Sequence, residues 1–91
     1  MIRSIRHRGL RRLWDGDPSR ISAAMKDRLE NVLSVLDAAG HASDVDLPGY
    51  RLHPLKGDMA GYWSVTISRT WRMTFRIEDG HAFDVDLVDY H

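Results

Sequence analysis

The sequence predicts an α+β fold in which a small antiparallel sheet, made of an N-terminal strand and a C-terminal meander, packs on two N-terminal helices. Two observations lead there. Between residues 21 and 36, apolar side chains recur at helical spacing as Ile21, Met25, Leu29, Val32 and Leu36. From Tyr62 onward the period changes to two: Trp63, Val65 and Ile67, then Trp71, Met73, Phe75 and Ile77, then Phe83, Val85 and Leu87. With 91 residues the chain has room for one core, so residues 1–91 read as a single domain.

Each element follows in order. "MIRSI" alternates and reads as a short first strand. "HRGLRRLWDG" sets Leu10, Leu13 and Trp14 at helical spacing, with Arg8, Arg11 and Arg12 turned elsewhere. "DGDP" punctuates, with Asp17 as N-cap and Pro18 as first residue of a second helix that runs to about Ala39. Gly40 suits the left-handed position that closes a helix. "HASDVDLPG" is a loop, and "YRLH" a short strand stopped by Pro54. The three alternating runs form an antiparallel meander with one apolar and one polar face.

The pattern also predicts register, because a one-residue slip would turn every side chain over. A three-residue loop at Ser68-Arg69-Thr70 sets Ile67, Val65 and Trp63 opposite Trp71, Met73 and Phe75. A three-residue loop at Glu78-Asp79-Gly80 sets Phe75, Met73 and Trp71 opposite Phe83, Val85 and Leu87, with Gly80 left-handed. A two-residue Asp79-Gly80 turn would oppose Phe75 to Asp84, and the pattern argues against it.

Charge is neutral in sum and uneven along the chain. Residues 1–12 hold five Arg and no acid, and residues 51–76 hold five bases and one acid. Residues 13–50 and 77–91 are net acidic. Such blocks either pair with one another or build a basic face for a polyanion. There is no cysteine, which excludes a disulfide framework, a thiolate nucleophile and Cys-ligated zinc. No apolar run reaches the roughly 20 residues of a membrane span, so no membrane partner is expected. The Arg-rich opening has the composition of a transit peptide, but its removal would take the first strand and helix with it. The expected compartment is the cytoplasm.

The predicted register gathers Tyr62, Ser64, Thr66, Arg72, Thr74, Arg76, Asp84 and Asp86 on the polar face. Arg72 would fall opposite Asp86, and a cross-strand ion pair is the plain reading. Asp84 and Asp86 lack a third acid to complete a hard-cation cage, so no metal and no cofactor are expected. Pro54 favours an extended His53. If that strand joins the meander beside residues 62–67, His53 and Arg51 turn to the polar face, with Lys56 on the loop beyond. By parity Tyr90 shares the side of Asp84 and Asp86. His, Lys, Arg, Tyr and His around one open surface suit a phosphodiester.

"LHPLKGDMAGYWSV", "WRMTF" and the terminal "DYH" together resemble the HigB toxins of bacterial toxin–antitoxin systems, within the RelE/ParE superfamily. The likeness runs the length of the chain. It implies a RelE-like fold and a small ribosome-dependent endoribonuclease that cuts messenger RNA in the decoding site. It also implies a HigA-like antitoxin with a helix-turn-helix domain, through which alone the toxin would meet operator DNA. Carried over by position, the resemblance gives a catalytic set of His53, Lys56, Arg72, Asp89, Tyr90 and His91. Arg3, Arg6, Arg8, Arg11, Arg12 and Arg76 are expected to contact messenger or ribosomal RNA. The rival readings are a ParE-like gyrase poison that cuts nothing, and a toxin-like fold that serves only as a repressor partner. His53, Lys56 and His91 favour the nuclease, since a gyrase binder has no use for a proton-handling set.

Overall fold

The computed structural model describes residues 1–90. The elements are α1 (Arg8–Trp14), α2 (Ala23–Ala38), β1 (His53–Pro54), β2 (Trp63–Thr66), β3 (Trp71–Glu78) and β4 (His81–Asp89). Single 3-10 turns lie at Ala42–Val45 and Gly57–Met59. The four strands form one antiparallel sheet in the order β1-β2-β3-β4. The N-terminal residues join the free side of β4 as two isolated bridges, Ile2 to Ala82 and Ile5 to Val85. They run parallel to β4, so the first strand is a tether and not a further antiparallel member.

α1 begins at His7, whose Nδ1 accepts the Leu10 N–H at 3.0 Å. That bond satisfies one of the helix's orphan donors and requires Nδ1 to be unprotonated. Leu10 and Leu13 are buried, whereas Trp14 stays 38% exposed and lies outside their stripe. α2 starts five residues later than the sequence suggests. Asp17 accepts from Ser19 N–H at 3.0 Å and closes a local turn, while Ser22 caps the helix through Ala24 N–H at 3.2 Å. The intervening segment crosses α1 closely: a Cβ on Gly9 would sit 3.2 Å from both Cβ and carbonyl oxygen of Arg20. The far end also differs. Gly40 is not left-handed; the chain leaves α2 extended at Ala39, with φ −73° and ψ 136°. The Asp44 carboxylate then takes the N–H groups of Gly40 (3.0 Å) and His41 (3.1 Å).

β2 and β3 pair as the alternation requires, with Trp63 opposite Phe75, Val65 opposite Met73 and Thr66 opposite Arg72. The predicted strand at "YRLH" shrinks to His53–Pro54, paired with Ser64 and Trp63, because Arg51 adopts φ 52° and breaks the extended run. The second hairpin corrects the expected register. Its turn is the two-residue Asp79-Gly80, with φ 52° and 77° as a type I′ turn demands. Arg76 lies opposite Phe83, but Thr74 lies opposite Asp86, so β4 carries one extra residue between them. That residue is Asp84, at φ 55°. The bulge places Asp84 and Val85 together opposite Phe75, which removes the conflict that argued against the short turn.

Two side-chain placements change in consequence. Ala82, not Phe83, enters the core, and Phe83 turns to the other face beneath the Arg76 guanidinium, 4.6 Å from its ring. Arg72 meets Val88 instead of Asp86, so the expected ion pair does not form. The core lies between the helices and the apolar sheet face. Leu29, Val32, Leu33 and Leu36 of α2 meet Val65, Met73, Phe75 and Val85, all fully buried.

The cap sets a test of α1. His7→Ala should lower unfolding stability by about 1 kcal/mol, and His7→Asn, which keeps an acceptor, should recover most of it in urea melts. Equal stability of the wild type and His7→Ala would show that the cap contributes nothing.

Candidate active site

The polar face of the sheet is the floor of a cleft of about 900 Å³. β1 and the loop after it form one wall, and the end of β4 forms another. His53 and Pro54 are held against Ser64 and Trp63, and Leu55 N–H donates to the Tyr62 carbonyl at 2.9 Å. Gly57, at φ 65°, then reverses the chain, leaving Lys56 exposed on the rim. Arg72 rises from β3. Its Nη1 donates to the carbonyls of Ser68 (3.0 Å), Trp71 (3.1 Å) and Arg69 (3.4 Å), which fixes the guanidinium over the Tyr90 ring at 5.5 Å. Tyr90 itself is 70% exposed and tied by its backbone N–H to the Thr70 carbonyl.

Four predicted site residues therefore line one cleft: His53, Lys56, Arg72 and Tyr90, with Arg6 beside them. Arg51 lines it too, although its φ of 52° puts it outside the paired residues of β1. Other predicted residues fall elsewhere. Asp89 pairs with Trp71 at the end of β4 and does not line the cleft. His91 lies outside the described residues. Arg3 and Arg11 border a second, smaller cavity of about 230 Å³ between the N-terminal segment and α1. Arg8 and Arg12 are exposed on α1, with Arg12 3.7 Å from Asp17. Arg76 is not in the cleft: it pairs with Asp84 at 3.0 Å and with Glu78, and stacks on Phe83.

Asp84 organises the floor. Its carboxylate accepts from the Tyr62 hydroxyl at 2.8 Å and from Arg76 Nε at 3.0 Å, while its own N–H donates to Ser4 Oγ at 2.7 Å. The Tyr62 bond and then the Arg76 bond hold the carboxyl below the ordinary carboxylate range. The same pairing, Asp84 first and Glu78 second, raises Arg76 further. Asp86, no longer opposite Arg72, accepts from Leu87 N–H at 2.9 Å.

The reading of the sequence missed most of the cleft's apolar lining: Leu52, Leu55 and Met59 around β1, and Val88 near the end of β4. Only Val88 had a signal, since it shares the parity of Asp86 and Tyr90. Among the described residues no group of three His, Cys, Asp or Glu is placed to hold a metal ion, and no helix is long and apolar enough to cross a membrane.

This arrangement of helices and sheet has been seen before. A YoeB/ParE toxin from Agrobacterium tumefaciens matches with a TM-score of 0.62 at 22% identity, covering 100% of this chain and 99% of that one. A YafQ variant from E. coli matches with a TM-score of 0.59 at 19% identity, over 96% and 92% of the two chains. The fold is that of the RelE-like toxins. In sequence the chain is 40% identical to the "Endoribonuclease HigB" of Proteus vulgaris over 92 residues, covering 100% of both chains. It is 32% identical to the "Toxin HigB-1" of Vibrio cholerae over 68 residues, which is 74% of this chain and 72% of that one. The model of the family described as "RelE-like toxin of type II toxin-antitoxin system HigB" matches residues 3–91. The chain belongs to this family of HigB-like toxins, and a toxin of such a system has an antitoxin as its partner.

The Asp84 pairing predicts a pH signature. A carboxyl held below its unfolded value binds fewer protons folded than unfolded, so its stabilisation is complete near neutral pH. It is lost as pH falls through the lowered value. Asp84→Asn should therefore flatten the rise of stability with pH in urea melts carried out below about pH 5. A variant with an unaltered slope would show that the pairing carries no stability.

Proposed function

We propose that the chain is a ribosome-dependent endoribonuclease whose active site is this cleft, acting as one toxin domain over residues 1–91. One observation carries the reading: His53, Lys56, Arg72 and Tyr90 reach the same cleft from separate elements. The name and full-length similarity of the Proteus vulgaris relative support it. A gyrase poison would leave that set of side chains without a task.

Cleavage at a 2′-hydroxyl needs a base for its proton, positive charge for the phosphorane and an acid for the leaving 5′-oxygen. Lys56 and Arg72 supply fixed charge. Arg72 is already oriented by its three carbonyl bonds, so it needs no reordering as charge develops. His53 and His91 are suited to proton transfer near neutral pH. Tyr90 positions the substrate or donates a proton. Asp89 fixes the tautomer of His91 by accepting one N–H, or acts as a base itself. The 2′-hydroxyl requirement makes RNA the substrate and not DNA.

The proposed partners are the ribosome, the messenger it carries and a HigA-like antitoxin, with operator DNA reached only through that antitoxin. Arg3, Arg6, Arg8, Arg11 and Arg12 bind RNA phosphate; Arg76, committed to Asp84 and Glu78, leaves that set. The proposed compartment is the cytoplasm, where ribosomes are.

On programmed ribosomes the wild type should cut the messenger. His53→Ala should slow cutting by about 10²–10⁴-fold, and deletion of His91 alone should act similarly while the melting curve is kept. Intact messenger with the wild type, or full activity of both variants, contradicts the assignment. Replacing Arg8, Arg11 and Arg12 together by Ala should weaken ribosome binding and reduce its dependence on salt. Binding equal to wild type across a salt series would refute the basic face.

A further inference from the structure

His53 sits at the end of a turn that few backbone bonds hold. Gly49 and Arg51 both take left-handed φ, at 84° and 52°, and β1 is only two residues long. The pairing of His53 with Ser64 fixes its backbone on one side, and the kinked segment before it sets how that short strand is approached. Two side chains from α2, chiefly Arg28, tie that segment down. Arg28 Nη2 donates to the Gly49 carbonyl at 2.8 Å and to the Thr66 carbonyl at 3.2 Å, and Nε reaches Thr66 at 3.3 Å. The same guanidinium lies over the Tyr50 ring at 3.8 Å. Asn31 Nδ2, one turn on along α2, donates to the Tyr50 hydroxyl at 3.1 Å. The Tyr50 carbonyl accepts Thr66 N–H at 2.6 Å.

Thr66 is the last residue of β2 and pairs with Arg72, while Tyr50 lies three residues before His53. Arg28 thus joins the strand end opposite one cleft residue to the turn that carries another. It does so from the helix side of the sheet and is not part of the cleft lining. A planar guanidinium can grip two carbonyls and stack on a ring at once, which an ammonium cannot.

We propose that Arg28 is a positioning residue of the active site, holding the Gly49–Leu52 turn so that His53 is presented to the cleft at a set height. The inference rests on the nuclease reading of that cleft. It assigns Arg28 no contact with RNA. The ground-state binding of RNA should be nearly untouched, and the chemical step should suffer, since displacement by about 1 Å can cost about 100-fold.

The test combines single-turnover cleavage on programmed ribosomes with the histidine imidazole NMR signals of the whole free chain. Arg28→Ala is expected to lower the maximal rate about 10- to 100-fold at nearly constant half-saturation. It should also move the His53 imidazole signals while leaving those of His7 in place. Arg28→Lys should recover only part of the rate. A folded Arg28→Ala chain with wild-type rate, or with unmoved His53 signals, overturns the proposal. If Arg28→Ala does not fold, the same two criteria apply to Arg28→Lys. A wild-type chain that leaves messenger intact rejects the nuclease reading instead, and the His53 signals still answer for the turn.

Discussion

The second half of the structure depends on one extra residue in β4. The Asp79-Gly80 turn imposes one register on the hairpin, and the buried run of Val85 and Leu87 opposite Met73 and Phe75 imposes another. Asp84 absorbs the difference by adopting φ 55°, a conformation that costs a non-glycine residue of the order of 1 kcal/mol. The surroundings offset that cost. Ser4 accepts the displaced N–H, and Tyr62 and Arg76 satisfy the carboxylate. The N-terminal tether is thereby fastened at the bulge itself, since Ser4 lies between the two bridges to β4.

The bulge also divides the charges. Upstream of it, Phe83 turns outward and supports Arg76, whose charge is consumed by Asp84 and Glu78. Downstream, Asp86, Val88 and Tyr90 line the cleft, and Arg72 meets Val88 and the Tyr90 ring instead of a carboxylate. An Arg72–Asp86 pair would have neutralised the cation best placed for phosphate. The cleft consequently carries Arg6, Arg51, Lys56 and Arg72 among apolar side chains, with Arg72 lying over the Tyr90 ring. Such a surface complements a nucleotide, whose phosphate and base make opposite demands.

Much of this was legible in the sequence, and the exceptions have physical causes. The β2–β3 register follows residue for residue from alternation, because both faces of that hairpin are strongly patterned. The β3–β4 register does not, because Asp-Gly suits both a two-residue turn and a three-residue loop. The three-residue loop preserved perfect alternation, and a bulge preserves the core by a different route. Asp84 was the available sign, as one of the few residue types that tolerate positive φ. The late start of α2 was hidden for a related reason: Asp17 can cap a helix or close a turn, and the close crossing at Gly9 selects the turn. In the site, parity alone brought His53, Arg72 and Tyr90 together. It could not show that Arg76 is tied away from the cleft, or that Met59 and Leu55 close its wall.

The central claim is that side chains of this cleft transfer the protons and stabilise the phosphorane when RNA is cut. The chemical nature of the new ends tests it most directly. Attack by the 2′-hydroxyl must leave a 2′,3′-cyclic phosphate, or the phosphate it hydrolyses to, on one fragment and a 5′-hydroxyl on the other. Messenger cut on programmed ribosomes should carry a 5′-hydroxyl that polynucleotide kinase labels without prior phosphatase treatment. A 5′-phosphate at that end would contradict the account, because it requires attack by water from outside the RNA.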